Sequence, residues 1–327
     1  MFVRGMLERL ANAKERRWWT PPAVHVADSL LDPKSYSPYL LMRTGYLLRY
    51  ARWSLARARE SSVSSDLPQK LTVVLLSYKR QANLHPILRE LVKCSFIDRI
   101  ILSNNNPEVR MEDWVGVQDE RLTIINQARR TAPGIRFELA RESTGRYFAT
   151  IDDDIFLSAA NVRTLFEHLV RDPRRVHGYR GERYLPNERP SFPFDLLEKV
   201  LGPRYDLCGW RPMLENHEGE VDVINCVYFF TREHLEELFR LGGQLGLNLH
   251  TLRNGEDILL SSSGEGRPRI HALPHRVLDC ITDAKRGVAT FTSDNFYPER
   301  TRLFVDLKAI KPWPGEPAPV PVKVKAS

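Results

Sequence analysis

The sequence predicts an α/β fold: a mixed, mainly parallel sheet flanked by helices, with a helical extension before it. Three observations predict this. Short β-branched and aliphatic runs alternate with helix-period segments from Leu71 to Ile151, an order that builds a parallel sheet with helices on both faces. The runs are continuously apolar rather than alternating, as strands buried on both faces are. Polar clusters follow three of them, and in open α/β sheets ligands gather beyond the carboxyl ends of the strands.

Taken in order, the segment after Pro38 reads as a helix, with Leu40, Leu41, Tyr46, Leu47, Leu48, Tyr50, Trp53 and Leu55 interrupted by Arg43, Arg49, Arg52, Arg57 and Arg59. Such a helix is amphipathic and basic. It suits either docking on an anionic lipid surface or packing across the main domain with its arginines in water. Ser61 to Asp66 reads as a linker. The run LTVVLLS from Leu71 predicts the first strand, Asn83–Cys94 a helix, and Ile97–Ser103 a second strand ending in Asn104, Asn105 and Asn106. A third short strand is expected within Arg121–Asn126, a helix over Ile135–Glu142, and a fourth strand over Tyr147–Ile151 that runs into Asp152, Asp153 and Asp154.

The second half is less regular. Arg180–Asn216 reads as loops with a short helix, Val221–Phe230 as a strand, and Thr231–Leu241 as a helix capped by Thr231. Asn254-Gly255-Glu256-Asp257 leads into a helix over Ile258–Ser262, and Arg269–Leu273 reads as a strand. The expected organisation is a basic helical extension and linker over 1–66, the main domain over 67–311, and a Pro-rich tail over 312–327.

Composition narrows the function classes. With 42% hydrophobic and 27% charged residues the chain can bury a sizeable core. The net charge of +7 suits an anionic partner, but no nucleic-acid motif accompanies it, so no nucleic-acid partner is expected. Cys94, Cys208, Cys226 and Cys280 are widely spaced and form no C-x-x-C pair, which argues against a structural zinc site or a dense disulfide framework. No run reaches the ~20 apolar residues of a membrane span. The expectation is a cytoplasmic protein, peripheral to a membrane at most.

The aspartate triplet carries the chemistry. A buried strand delivers consecutive carboxylates to the sheet edge, where they repel one another unless a cation or hydrogen-bond donors compensate. Hard oxygen ligands suit Mn²⁺ or Mg²⁺, which commonly takes one or two carboxylates and completes its shell with phosphate oxygens. The bland alternative is an acidic turn that caps the next helix near Asn161.

Here the chain resembles a known family. Gly134–Glu142 followed by Tyr147–Asp154 is similar to the stretch preceding the DxD motif of GT-A glycosyltransferases, whose fold is Rossmann-like, and in particular of the exostosin C-terminal domain family. Ser77-Tyr78-Lys79-Arg80 resembles that family's Thr-Tyr-Asn-Arg, and Asn104-Asn105 resembles its paired asparagines. Asp222–Leu238 resembles its strand-helix unit, and Asn254-Gly255-Glu256-Asp257-Ile258 resembles its Asn-Cys-Asp-Asp-Ile. The resemblance covers Leu71 to Leu278, and its strength lies in the order of the motifs.

The resemblance implies a retaining, Mn²⁺-dependent transfer of an N-acetylhexosamine-type sugar from a UDP-sugar donor to a glycan or lipid-linked acceptor. It would place Ser77, Tyr78 and Arg80 at the nucleotide, Asn104 or Asn105 at the uridine, Arg136 at the diphosphate, and Asp152 at the ribose beside Asp153. Asp154 would hold the metal, with Asn254, Glu256 and Asp257 at the sugar and the reacting centre. Two departures stand out. Glu256 replaces the first acid of the family's pair, and Gly255 replaces its cysteine, which removes the expected disulfide.

Other readings stay open. The broader inverting GT-A enzymes use a similar acidic pair, with Asp257 then the general base. A non-catalytic binder of nucleotide or anionic polymer is the reading from a different class. Arg300 and Arg302 are candidates for a late diphosphate clamp, and His271 and His275 for a late metal ligand. Trp210 and Tyr184 either stack on an acceptor sugar or fill the core.

Overall fold

The computed structural model of the 327-residue chain describes residues 40–58, 60–185, 210–212, 217–280, 290, 296–317 and 319. Side chains are described from Leu48 onward and, within 210–212, for Trp210 alone. The expected extension before residue 40, Cys208, Arg59, most of the Arg180–Asn216 segment and the end of the tail lie outside the described residues.

The elements run α1 Leu40–Ala58, β1 Leu71–Ser77, α2 Leu84–Leu91, β2 Ile97–Asn104, β3 Leu122–Asn126, α3 Ile135–Glu142, β4 Tyr147–Asp152, β5 Ile155–Phe156 and α4 Ala159–Arg171. They continue with β6 His177–Gly178, β7 Gly181–Tyr184, β8 Trp210–Pro212, β9 Gly219–Glu220, β10 Val223–Ile224, β11 Val227–Thr231 and α5 Arg232–Gln244. Last come α6 Glu256–Ser261, β12 Arg269–Ile270, β13 Leu278–Asp279 and α7 Phe296–Ile310. The chain divides into two compact units. One comprises Met1–Thr131, Phe148–Glu167 and Leu273–Thr292, and the other Ala132–Tyr147, His168–Ala272 and Ser293–Ser327.

In the first unit the strands lie in the order β3-β2-β1-β4. β1 and β2 are parallel with Val73 opposite Ile100, and β2 and β3 are parallel with Ile100 opposite Leu122. Leu71, Val73, Val74 and Leu75 have no exposed surface, which is why the run is apolar on both faces. The register brings Ser77, Asn104 and Asn126 into a row at the carboxyl edge. β5 and β13 pair antiparallel, with Ile155 opposite Asp279. α1 packs on this strand pair: the Tyr50 and Trp53 rings lie 5.7 and 5.6 Å from Phe156. Leu48 and Leu55 face solvent. No described helix is long and apolar enough to cross a membrane.

The second unit carries strands in the order β11-β6-β12-β9 and a separate antiparallel sheet β10-β7-β8. β6 runs antiparallel to β11 and parallel to β12, which pairs antiparallel with β9. The expected Val221–Phe230 strand is therefore two strands, broken where Cys226 adopts φ 67°. Part of the segment read as loops is strand too, since β7 and β8 pair from Glu182 opposite Pro212 to Tyr184 opposite Trp210. These strands are too short for a period to register in the sequence.

α5 starts as expected at a Thr231 cap. His234 completes a reciprocal capping box in place of the usual Glu or Gln. Trp210 and Tyr184 prove to be core residues. Both rings pack on Phe304, and the indole N–H donates to Thr301 Oγ1 at 3.0 Å.

Candidate functional site

The first cluster sits at the carboxyl edge of the first unit. Arg80 bridges two of the three aspartates: one terminal nitrogen donates to Asp153 Oδ1 at 2.9 Å and the other lies 3.0 Å from Asp154 Oδ2. Asp153 also accepts the Tyr78 backbone N–H at 2.8 Å, and Asn83 donates to the Asp153 carbonyl at 2.7 Å. Burial raises the Asp153 carboxyl above its ordinary range, with the charge of Asp154 adding to it and Arg80 opposing. Burial works against the Arg80 charge, but Asp154 and Asp153 outweigh it and hold the guanidinium firmly protonated.

The triplet is not a helix cap. Ser158 Oγ accepts the Asn161 N–H at 3.1 Å and takes that role itself. The three aspartates thus divide. Asp153 ties β4 to the loop after β1, Asp152 closes β4 with part of its surface open, and Asp154 lies beside Arg80 with one-tenth of its surface exposed. No three metal-ligating side chains converge at the aspartates among the described residues. An ion there would rest on Asp154 in competition with its contact to Arg80, and would draw its other ligands from bound oxygens, as Mn²⁺ and Mg²⁺ sites commonly do.

Around it, Ser77 Oγ is buried without a hydrogen-bond partner among the described residues. The Arg130 guanidinium stacks 4.1 Å over the Tyr78 ring. The asparagines behave differently from the sequence reading. Asn104 donates to the Val109 carbonyl and Asn126 and accepts the Asn106 N–H. The Asn105 amide closes on Thr131 through both its donor and its acceptor. Both asparagines build the loop, and a contact from either side chain to a nucleotide would displace these bonds.

The second cluster belongs to the second unit. Asp257 and Glu256 open α6, and both approach Arg300. The guanidinium lies 2.8 Å from Asp257 Oδ1 and 3.5 Å from Glu182 Oε2. Arg300 is 3% exposed, so it is an internal counter-ion and not a free clamp; Arg302 is exposed. Glu256 keeps some solvent access, yet burial of its carboxyl, reinforced by Asp257, raises it to about 7 against the pull of Arg136 and Arg300. Burial likewise raises Glu182, against Arg300. Arg136 is buried rather than on a helix surface, and its Nε donates to the Pro133 carbonyl.

Asn254 donates to the Phe296 carbonyl at 2.9 Å, while its Oδ1 is buried without a hydrogen-bond partner among the described residues. Such an orphaned acceptor is costly unless a ligand donor meets it. Gly255 precedes the pair at φ 95°, where a Cβ would collide with Leu303 Cδ2. The glycine at the family's cysteine position is thus a backbone requirement here.

Glu182 is the member that the sequence reading missed. It lies in a four-residue strand, 118 residues from Arg300, and no local pattern marks it. His275 meets Ser158 Oγ at 2.9 Å and the Arg57 guanidinium, so it supports the first unit's framework.

No family model matches the chain, so the exostosin resemblance rests on the motifs themselves. No curated protein matches it either. Among solved structures it is similar to "Crystal structure of GalNAc-T7 with UDP, GalNAc and Mn2+". The identity is 12% and the TM-score 0.47, over 74% of this chain and 48% of that one. The chain spans about half the length of that structure's chain.

Proposed function

We propose that the protein is a metal-dependent glycosyltransferase with a nucleotide-sugar donor, a UDP-sugar in the first instance, and a glycan or lipid-linked acceptor. The observation that carries this reading is the division of labour in the aspartate triplet. Asp153 and Arg80 fix the turn, Ser158 caps the next helix, and Asp154, paired to Arg80 through Oδ2, keeps about one-tenth of its surface open at the carboxyl edge of the strands. The ordered resemblance from Ser77 to Asp257 supports it.

In this reading Ser77 and Tyr78 line the nucleotide, and Asp152 meets the ribose. Asp154 holds Mn²⁺ or Mg²⁺, which when bound supplies positive charge to the departing diphosphate. Arg136 adds a fixed cation. Asn254 Oδ1 accepts from a sugar hydroxyl. Asp257, locked to Arg300, presents fixed negative charge toward positive charge that develops on the sugar.

A second reading is favoured by one observation. Glu256, raised to about 7, is poised to take a proton from an acceptor hydroxyl near neutral pH, as an inverting enzyme requires. The anomeric configuration of the product, read by NMR, separates the two.

The test of the main reading is donor turnover across UDP-, GDP- and dTDP-sugars, with Mn²⁺ and with chelator, for wild type and Asp154→Asn. The expected outcome is metal-dependent release of one nucleotide, slowed at least about 100-fold in the variant. Absence of binding and turnover for every donor would sink the transferase reading and leave the non-catalytic binder.

A further inference from the structure

A third group of side chains, all in the second unit, has no part in the clusters above. His168 lies in the last turn of α4, His271 directly follows β12, and Glu218 directly precedes β9. β12 and β9 pair with Ile270 opposite Gly219, and the same register sets His271 against Glu218. One ligand atom from each of the three lies within 4.8 Å of the others. The His168 and His271 ring centroids are 3.7 Å apart, and Glu218 Oε2 is 3.0 Å from His271 Nδ1.

The hydrogen bonds behind His271 determine which of its nitrogens carries the proton. His177 Nε2 lies 2.8 Å from the Asp172 carbonyl, which can only accept, so this nitrogen carries hydrogen. His177 is 1% exposed and its ring stacks with that of His271, surroundings that favour the neutral imidazole. Its Nδ1 is therefore a bare acceptor, 2.8 Å from His271 Nε2, which must donate. A neutral His271 then turns an unprotonated Nδ1 toward a carboxylate oxygen. Two acceptors at 3.0 Å repel unless something positive lies between them. A proton would do, but the His271 ring is 2% exposed and stacked on a second imidazole, where a charged imidazolium is poorly accommodated.

We propose that His168, His271 through Nδ1, and Glu218 hold a zinc-class divalent ion, with a fourth position open to solvent. Two imidazoles and one carboxylate form a three-ligand set of the kind zinc accepts, and imidazole favours zinc over Mn²⁺ or Mg²⁺. The His177–Asp172 carbonyl chain orients His271 as outer-shell partners orient metal-bound histidines. Ligand atoms of tetrahedral zinc lie about 3.4 Å apart, so the Glu218–His271 pair at 3.0 Å must open slightly while the wider spacings of the group, up to 4.8 Å, close. The members with room to adjust are the Glu218 side chain, 54% exposed, and the partly exposed His168. None of the three is an aspartate of the β4 edge. The ion would tie the short edge pair β9–β12 to the end of α4.

The test is a zinc titration of the tag-free, chelator-stripped full chain, with excess Mn²⁺ present to occupy carboxylate sites. Calorimetry and zinc released on denaturation are the readouts, and circular dichroism checks the fold of each variant. The expected result is about one zinc per chain, weakened by at least about 10- to 100-fold in both Glu218→Gln and His168→Gln and unchanged in Asp154→Asn. Zinc should raise the thermal midpoint of wild type and Asp154→Asn, but not of Glu218→Gln. Failure of wild type to bind zinc would overturn the proposal. So would binding that survives both ligand substitutions, or binding abolished by Asp154→Asn.

Discussion

Glu256→Gln isolates the electrostatic cost of the acidic pair at the start of α6. The carboxyl is raised from its ordinary 4.5 to about 7 by burial and by Asp257. At about 1.4 kcal/mol per pH unit the difference amounts to at most about 3.5 kcal/mol. The sign follows from proton binding: between 4.5 and 7 the folded chain keeps a proton that the unfolded chain has released. The contribution of Glu256 to stability is therefore least unfavourable below 4.5, falls as pH rises through 7, and stays low above it. Glutamine keeps the size and loses the charge. Urea unfolding without metal or donor, at pH 4.5 and pH 8.5, should show the variant gaining stability on the wild type only at the higher pH. The full gain would be about 3.5 kcal/mol, and less if water relaxes around the charge. A difference between variant and wild type that does not change with pH would refute the assignment of a proton to this site.

Other outcomes follow from the same geometry. Arg300→Met leaves Asp257 and Glu182 buried without their counter-ion, which should cost about 3–5 kcal/mol by thermal or urea denaturation; a loss under about 1 kcal/mol would show that the cluster relaxes into water. Gly255→Ala combines a left-handed backbone penalty of about 1–2 kcal/mol with overpacking against Leu303 of about 1–3 kcal/mol. Its midpoint should fall clearly, and an unchanged midpoint would contradict the glycine requirement. Thr231→Ala removes the α5 cap and should cost about 1 kcal/mol, whereas an equal effect in Thr231→Ser would implicate the lost methyl instead.

Much of the first unit was legible because its strands are long, apolar on both faces and separated by helix-period segments. LTVVLLS and the run into Asp152 need no tertiary information to be recognised. The aspartates were legible as a cluster, but their separate duties were not. Which two of the three carboxylates meet Arg80 depends on the turn after β4.

The second unit was harder to read. β6, β9, β10 and β12 have two residues each, too few to show a period. Its ion pairs join distant segments, as Arg300 does with Glu182. The sequence reading marked His271, but Glu218 stands 53 residues away, and only strand pairing brings the two together. Asn104 and Asn105 show the converse: a motif match identified the positions, and their own hydrogen bonds use the side chains in the loop.

The packing of Tyr50 and Trp53 on Phe156 bears on how shortened versions of this protein should be interpreted. Phe156 is two residues beyond Asp154, and the Cys280 backbone N–H of the adjoining segment donates to the Asp154 carbonyl at 2.7 Å. An expression clone that begins after Asp66 strips the aromatic cover from the β5–β13 pair while leaving every motif residue in the sequence. Its product would carry a newly wetted apolar surface beside the aspartate turn, and would clump or idle for that reason alone. Lost activity in such a clone would then report a loosened aspartate turn, and could not be taken as proof that the N-terminal helix had been serving as a lipid tether.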